Sequence, residues 1–88
     1  MKEKKIIIKN KLGLHARAAA KIVTLTNKYN SKIKITNGSK IADAKSIMKI
    51  LMLAAPKGTE ILISASGKDE DLDIKNLEKL FNEKFDEE

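Results

Sequence analysis

His15 is the sole histidine of this chain, in the stretch "GLHARAAAKIV", and Arg17 follows two residues later. An imidazole has a lone pair that can attack phosphorus or carbon, and a guanidinium offers a planar fork of donors that suits phosphoryl oxygens. The alanine-rich run after His15 predicts a helix starting at Ala16, which places the ring at or beside the N-cap. There the first backbone N–H groups lack helical partners and the helix dipole favours an anion. Phosphoryl transfer asks mainly for positioning and charge stabilisation, and this group could supply both. A histidine that merely caps a helix would have the same local sequence. One histidine without cysteine leaves too few soft ligands for a zinc site, so no metal and no cofactor is expected.

A second candidate is Ser46, before the apolar run "IMKILMLAA". Serine is a favoured N-cap, worth roughly 0.5–2 kcal/mol over alanine, and its hydroxyl could also be a modification site. Lys45 and Lys49 stand in the adjoining turns. The run holds more apolar residues than one buried stripe can use. If Ile50, Leu51 and Ala54 turn inward, then Ile47, Met48 and Met52 form an adaptable docking patch beside His15.

The elements that must position these groups follow from hydrophobic period. Ile6 to Ile8 and "SKIKIT" have strand character, and Asn37-Gly38 is a favoured hairpin turn that pairs residues 31–36 with about 39–43. "TEILISAS" alternates Ile61, Ile63 and Ala65 against Leu62, Ser64 and Ser66 as a fourth strand. The first helix runs from about Ala16 to Lys28 on a stripe of Ala19, Ile22, Val23 and Thr26. A second starts at Ser46 and is stopped by Pro56 and Gly58. The third spans about Asp71 to Phe85 on Ile74, Leu77, Phe81 and Phe85, with an acidic first turn that complements its dipole. The order βαββαβα predicts an α+β fold, a four-stranded antiparallel sheet with three helices on one face.

Eighty-eight residues suit a single domain, 1–88, with one apolar core. The absence of cysteine requires no oxidising compartment, and no apolar run approaches the length of a signal or a membrane span, so a cytoplasmic protein without membrane insertion is expected. The net charge of +6 hides an asymmetry. Residues 1–67 hold 14 Lys or Arg against 3 Asp or Glu, whereas residues 68–88 hold 4 against 9. A basic body could attract acidic proteins, acidic lipid or nucleic acid. Three aromatic residues offer little for base stacking, which argues against nucleic acid as the partner.

"GLHARAAA" resembles the active-site segment of the HPr family, the histidine-containing phosphocarriers of the bacterial sugar phosphotransferase system, whose usual form is GLHARPAA. "AKSIM", residues 44–48, resembles that family's second signature, at the family's spacing from His15. The resemblance covers essentially the whole chain. It implies an open-faced β-sandwich in which His15 accepts a phosphoryl group from enzyme I and passes it to enzyme IIA domains, with Arg17 assisting the phosphohistidine. Such a protein is a monomeric carrier rather than an enzyme. In one subgroup the serine at the place of Ser46 is phosphorylated by an HPr kinase/phosphorylase, and the product binds a catabolite repressor. A module acting mainly through Ser46, or one serving a nitrogen-related phosphotransferase system, is the alternative. Ala18 stands where the family usually has proline and restores a backbone donor at the start of the helix.

Overall fold

The computed structural model describes residues 1–87 and contains four strands and three helices. The strands are β1 (Lys2–Ile7), β2 (Lys32–Asn37), β3 (Lys40–Asp43) and β4 (Glu60–Ser66). They form one antiparallel sheet in the order β1-β4-β2-β3. The helices are α1 (Ala16–Thr26), α2 (Ile47–Leu51) and α3 (Glu70–Asn82). The expected βαββαβα order and the single helix-covered face are therefore both present.

Alternation decides which face of the sheet is buried. Ile6, Ile33, Ile35, Ala42, Ile61, Ile63 and Ala65 turn inward and are nearly inaccessible. Ile33 lies opposite Ala65 and Ile35 opposite Ile63 across the β2–β4 ladder, so the branched side chains form continuous rows beneath the helices. On α1 the buried face is Ala18, Ala19, Ile22 and Thr26. Val23, expected in the stripe, is only half-buried, and Ala18 takes the inner place. Two alanines in succession let α1 lie close to its neighbours.

The acidic C-terminal region has a local use. Carboxylates of α3 meet the basic first strand, with Asp71 3.5 Å from Lys2 and Glu78 3.6 Å from Lys4. Glu70 lies 3.2 Å from the N-terminal ammonium. Exposed pairs of this kind contribute little each. They do set the sign of charge with which α3 faces β1.

Two expected boundaries are corrected. The second helix stops at Leu51, well before Ala55. Leu53 and Ala54 donate to the carbonyls of Ile50 and Leu51, three residues back, and Ala54 then adopts the left-handed region at φ 48°. Asn37 Nδ2 donates to the Leu53 carbonyl at 3.0 Å and holds this exit against the end of β2. Consequently Leu53 is buried and Ala54 is exposed, the reverse of the expectation for Ala54, while Leu51 is half-buried. The third helix stops at Asn82, so Phe85 is not part of its stripe. Phe85 reaches the core from a turn, fully buried and edge-on to Phe81 with ring centroids 4.9 Å apart.

Candidate functional site

His15 is the N-cap of α1, with extended backbone at φ −81° and ψ 178°. Its carbonyl accepts the first intrahelical bond, from Ala19 N–H at 2.9 Å. The amides of Ala16, Arg17 and Ala18 therefore lack acceptors within the helix. One of them, Arg17 N–H, donates to His15 Nδ1 at 3.3 Å. Only an unprotonated ring nitrogen can accept, so Nδ1 carries the lone pair and the ring proton sits on Nε2.

The loop before α1 has little freedom. Gly13 has φ +67°, and a Cβ there would stand 2.5 Å from the Ala55 carbonyl oxygen and 2.8 Å from Pro56 Cα. Leu14 N–H donates to that same Ala55 carbonyl at 3.0 Å, and Leu14 is buried. The short α2 and its tight exit thus have a purpose at the site, since they bring Ala55 against the residues that carry His15. Asn10 Nδ2 donates to the Gly13 carbonyl at 2.7 Å and closes the loop from the other side.

Nε2 of His15 meets a group that the sequence did not reveal. Glu87 Oε2 accepts from it, and the other carboxylate oxygen of Glu87 accepts from Asn10 Nδ2 at 2.9 Å. The side chains of His15 and Glu87 are 25% and 13% exposed, so the pair is partly shielded while the ring remains reachable. The turn that delivers Glu87 is unusual. Lys84, Phe85 and Asp86 all have positive φ, at 54°, 56° and 59°. Each such residue with a Cβ costs roughly 1–2 kcal/mol against ordinary backbone. Burial of Phe85 offsets that cost, and Lys21 Nζ donates to its carbonyl. No periodicity or motif could have found Glu87, because its role depends on a reversal of the chain after α3.

Arg17 lies in the first turn of α1 and is exposed, and that turn contains no acidic residue. Ser46 is the N-cap of α2, half-buried, with Oγ accepting from Lys49 N–H at 3.3 Å. Of the expected patch, Ile47, Met48 and Met52 are 39%, 69% and 65% exposed, and Leu12, in the loop before His15, is exposed too. Met52 borders a shallow depression with Lys40, Ile41, Lys49 and Leu53, so it reaches the edge strand β3. Among the described residues no group of three His, Cys, Asp or Glu gathers to hold a metal ion. None of the helices described is long and apolar enough to cross a membrane.

The arrangement has counterparts of known kind. A phosphocarrier protein HPr of Pseudomonas aeruginosa is 46% identical over 83 residues, covering 93% of this chain and 92% of the relative. A phosphocarrier protein NPr of Shewanella violacea is 40% identical over 85 residues, covering 97% and 93%. The crystal structure of an HPr from Thermoanaerobacter tengcongensis superposes with a TM-score of 0.95 at 46% identity, over 100% of this chain and 99% of the other. Residues 2–83 match the model of the PTS-HPr family, described as the PTS HPr component phosphorylation site. With the site histidine held at a helix N-terminus inside this fold, the chain belongs to the HPr family of phosphocarrier proteins.

Proposed function

We infer that this protein carries a phosphoryl group on Nδ1 of His15, taken from enzyme I and delivered to enzyme IIA domains. The observation that carries this reading is the hydrogen bond from Arg17 N–H to Nδ1. It supports Nδ1, the ring nitrogen that accepts at the start of α1, as the nucleophile. The lone pair attacks the donor's phosphorus, the bond from phosphorus to the donor breaks, and the departing electron pair stays with the donor. The new phosphoryl oxygens then take over the Arg17 amide and gain the amide of Ala18 and the Arg17 guanidinium. The chain brings a nucleophile and an anion cradle, and its partners bring the chemistry of the donor and the final acceptor. The exposed Ile47, Met48 and Met52 suit a surface that meets several partners in turn. A cytoplasmic location agrees with this traffic.

The experiment is incubation with phosphoenolpyruvate and enzyme I. Phosphate is expected on His15, labile in acid and stable in alkali, as a phosphoramidate is. A label that persists in His15→Ala would refute the assignment.

Ser46 supports a regulatory reading of the same molecule. Ser46 is half-buried at the start of α2, and Lys49 beside it is exposed. A phosphate there would add about −1.5 to −2 charges to the basic surface and weaken its attraction to acidic partners. An HPr kinase/phosphorylase would add it, and a catabolite repressor would read it. The resemblance to an NPr favours a second placement, in a nitrogen-related phosphotransferase system, and kinetic preference between the two types of enzyme I would decide it.

A further inference from the structure

We propose that Glu87 is a positioning residue of the phosphoryl site, holding the proton of His15 on Nε2 so that Nδ1 presents its lone pair to the phosphoryl donor. The proposal rests on the phosphocarrier reading for its function, and on geometry alone for the hold on the ring.

Three observations converge on this role. First, the two ring nitrogens have opposite partners. Nδ1 faces a donor, the Arg17 amide, and Nε2 faces an acceptor, the Glu87 carboxylate. A neutral imidazole satisfies both in one tautomer only, with hydrogen on Nε2. Second, the carboxylate is itself oriented. Its other oxygen accepts from Asn10 Nδ2, and the same Asn10 nitrogen donates to the Gly13 carbonyl, which aims the amide nitrogen at the carboxylate. Asn10 is fully buried, so the relay from loop to carboxylate to ring is anchored in the core. Third, the chain adopts three successive left-handed residues to bring Glu87 there, pinned by buried Phe85 and by Lys21. Strain of that kind persists where the surroundings over-determine it, and functional sites are where it clusters.

The chemistry gives the carboxylate a second task. When Nδ1 bonds to phosphorus while Nε2 keeps its hydrogen, the ring acquires a positive charge. Glu87 then faces that charge across the same hydrogen bond and compensates it without moving. On transfer, the nitrogen–phosphorus bond breaks, its electron pair returns to Nδ1, and the ring is neutral again with its proton still on Nε2. No proton has to enter or leave the site in either direction.

The test combines ring ¹⁵N spectra with phosphorylation rates for the parent, Glu87→Ala and Glu87→Gln. Spectra of the free protein are compared with the ring in its neutral form, where the two nitrogens report the tautomer. The parent is expected to show a protonated Nε2 and an unprotonated Nδ1. In Glu87→Ala the two signals should move toward each other as the second tautomer is populated, and phosphorylation of His15 by phosphoenolpyruvate and enzyme I should slow by about tenfold. Glu87→Gln keeps an oxygen for Nε2–H and should restore the parent's tautomer while recovering only part of the rate, since it lacks the charge. A residue that only secures the tail would change the melting temperature without moving the ring signals. Unchanged ¹⁵N signals in Glu87→Ala, or changed signals with an unchanged rate, overturn the proposal. If the parent itself takes no phosphate, the phosphocarrier reading fails instead, and the ¹⁵N comparison still decides whether Glu87 holds the ring.

Discussion

Replacing Gly13 by alanine separates two costs that are usually confounded, because Gly38 provides a matched control. Both glycines are left-handed, at φ +67° and +61°, so a Cβ meets the same local penalty at each, roughly 1 kcal/mol. Their surroundings differ completely. Nothing lies within 4 Å of a Cβ on Gly38, whereas on Gly13 it would stand 2.5 Å from the Ala55 carbonyl oxygen and 2.8 Å from Pro56 Cα. Both neighbours are backbone and cannot rotate away. The loop before α1 must therefore separate from the exit of α2, which lengthens the bond from Leu14 N–H to Ala55 and leaves a buried acceptor short of a partner. That loss adds about 1–3 kcal/mol. Gly38→Ala should thus cost about 1 kcal/mol and Gly13→Ala about 2–4. At ~4–8 °C per kcal/mol for a domain of this size, the melting temperatures of the two variants should differ by roughly 10 °C. Urea denaturation with a common slope gives the free energies directly. Gly13→Ala should also slow phosphorylation of His15, since the same loop carries the ring. Free energies within about 0.5 kcal/mol of each other, small against a typical point-mutant effect, would show that the close approach places no real constraint on the loop.

Arg17→Ala should slow phosphoryl transfer tenfold or more, roughly 1.4 kcal/mol in the transition state, with little change in melting temperature because the side chain is exposed. Phe85→Ala should cost about 3–5 kcal/mol, less whatever strain the left-handed turn releases, and should detach Glu87 from His15 as seen in the ring ¹⁵N signals. Ser46→Asp should keep the fold, since aspartate is a good N-cap, while raising the apparent KM for enzyme I more at low salt than at high. A KM that does not change at low salt would leave Ser46 a cap and nothing more. Glu70 is held below the usual carboxylate range, first by the Gly67 N–H that it accepts and then by the N-terminal ammonium. Its contribution to stability is complete above the ordinary value of about 4.5 and is lost as the pH falls through the lowered one. Glu70→Gln should therefore flatten the acid limb of a stability-against-pH curve, measured by urea titration at each pH.

The elements were legible from sequence wherever a local rule governs them. Alternation in "SKIKIT" and "TEILISAS", the Asn37-Gly38 turn and the alanine-rich helix after His15 all rest on contacts between near neighbours in the chain. Binary pattern reports such contacts directly. The pairing of His15 with the start of α1 was legible for the same reason, since an N-cap is a relation between residues two or three apart. Ser46 as the cap of α2 followed likewise. The exposure of Ile47, Met48 and Met52 was recoverable by counting, because a single helix cannot bury so many apolar residues at once.

Other features depend on groups far apart in the chain meeting in space. The second helix has the composition to continue past Leu51, yet Asn37 and Leu14 claim the carbonyls of Leu53 and Ala55 and bend the chain away. Phe85 matches the helical period, but its ring fills the core from a left-handed turn, where packing against Phe81 outweighs backbone preference. Asn10 and Glu87 are 77 positions apart, and Glu87 is 72 from His15. Sequence alone could therefore say that a histidine stands at a helix start with an arginine beside it. What each nitrogen of that histidine faces depends on tertiary structure, because the carboxylate against Nε2 belongs to Glu87, 72 positions further along the chain.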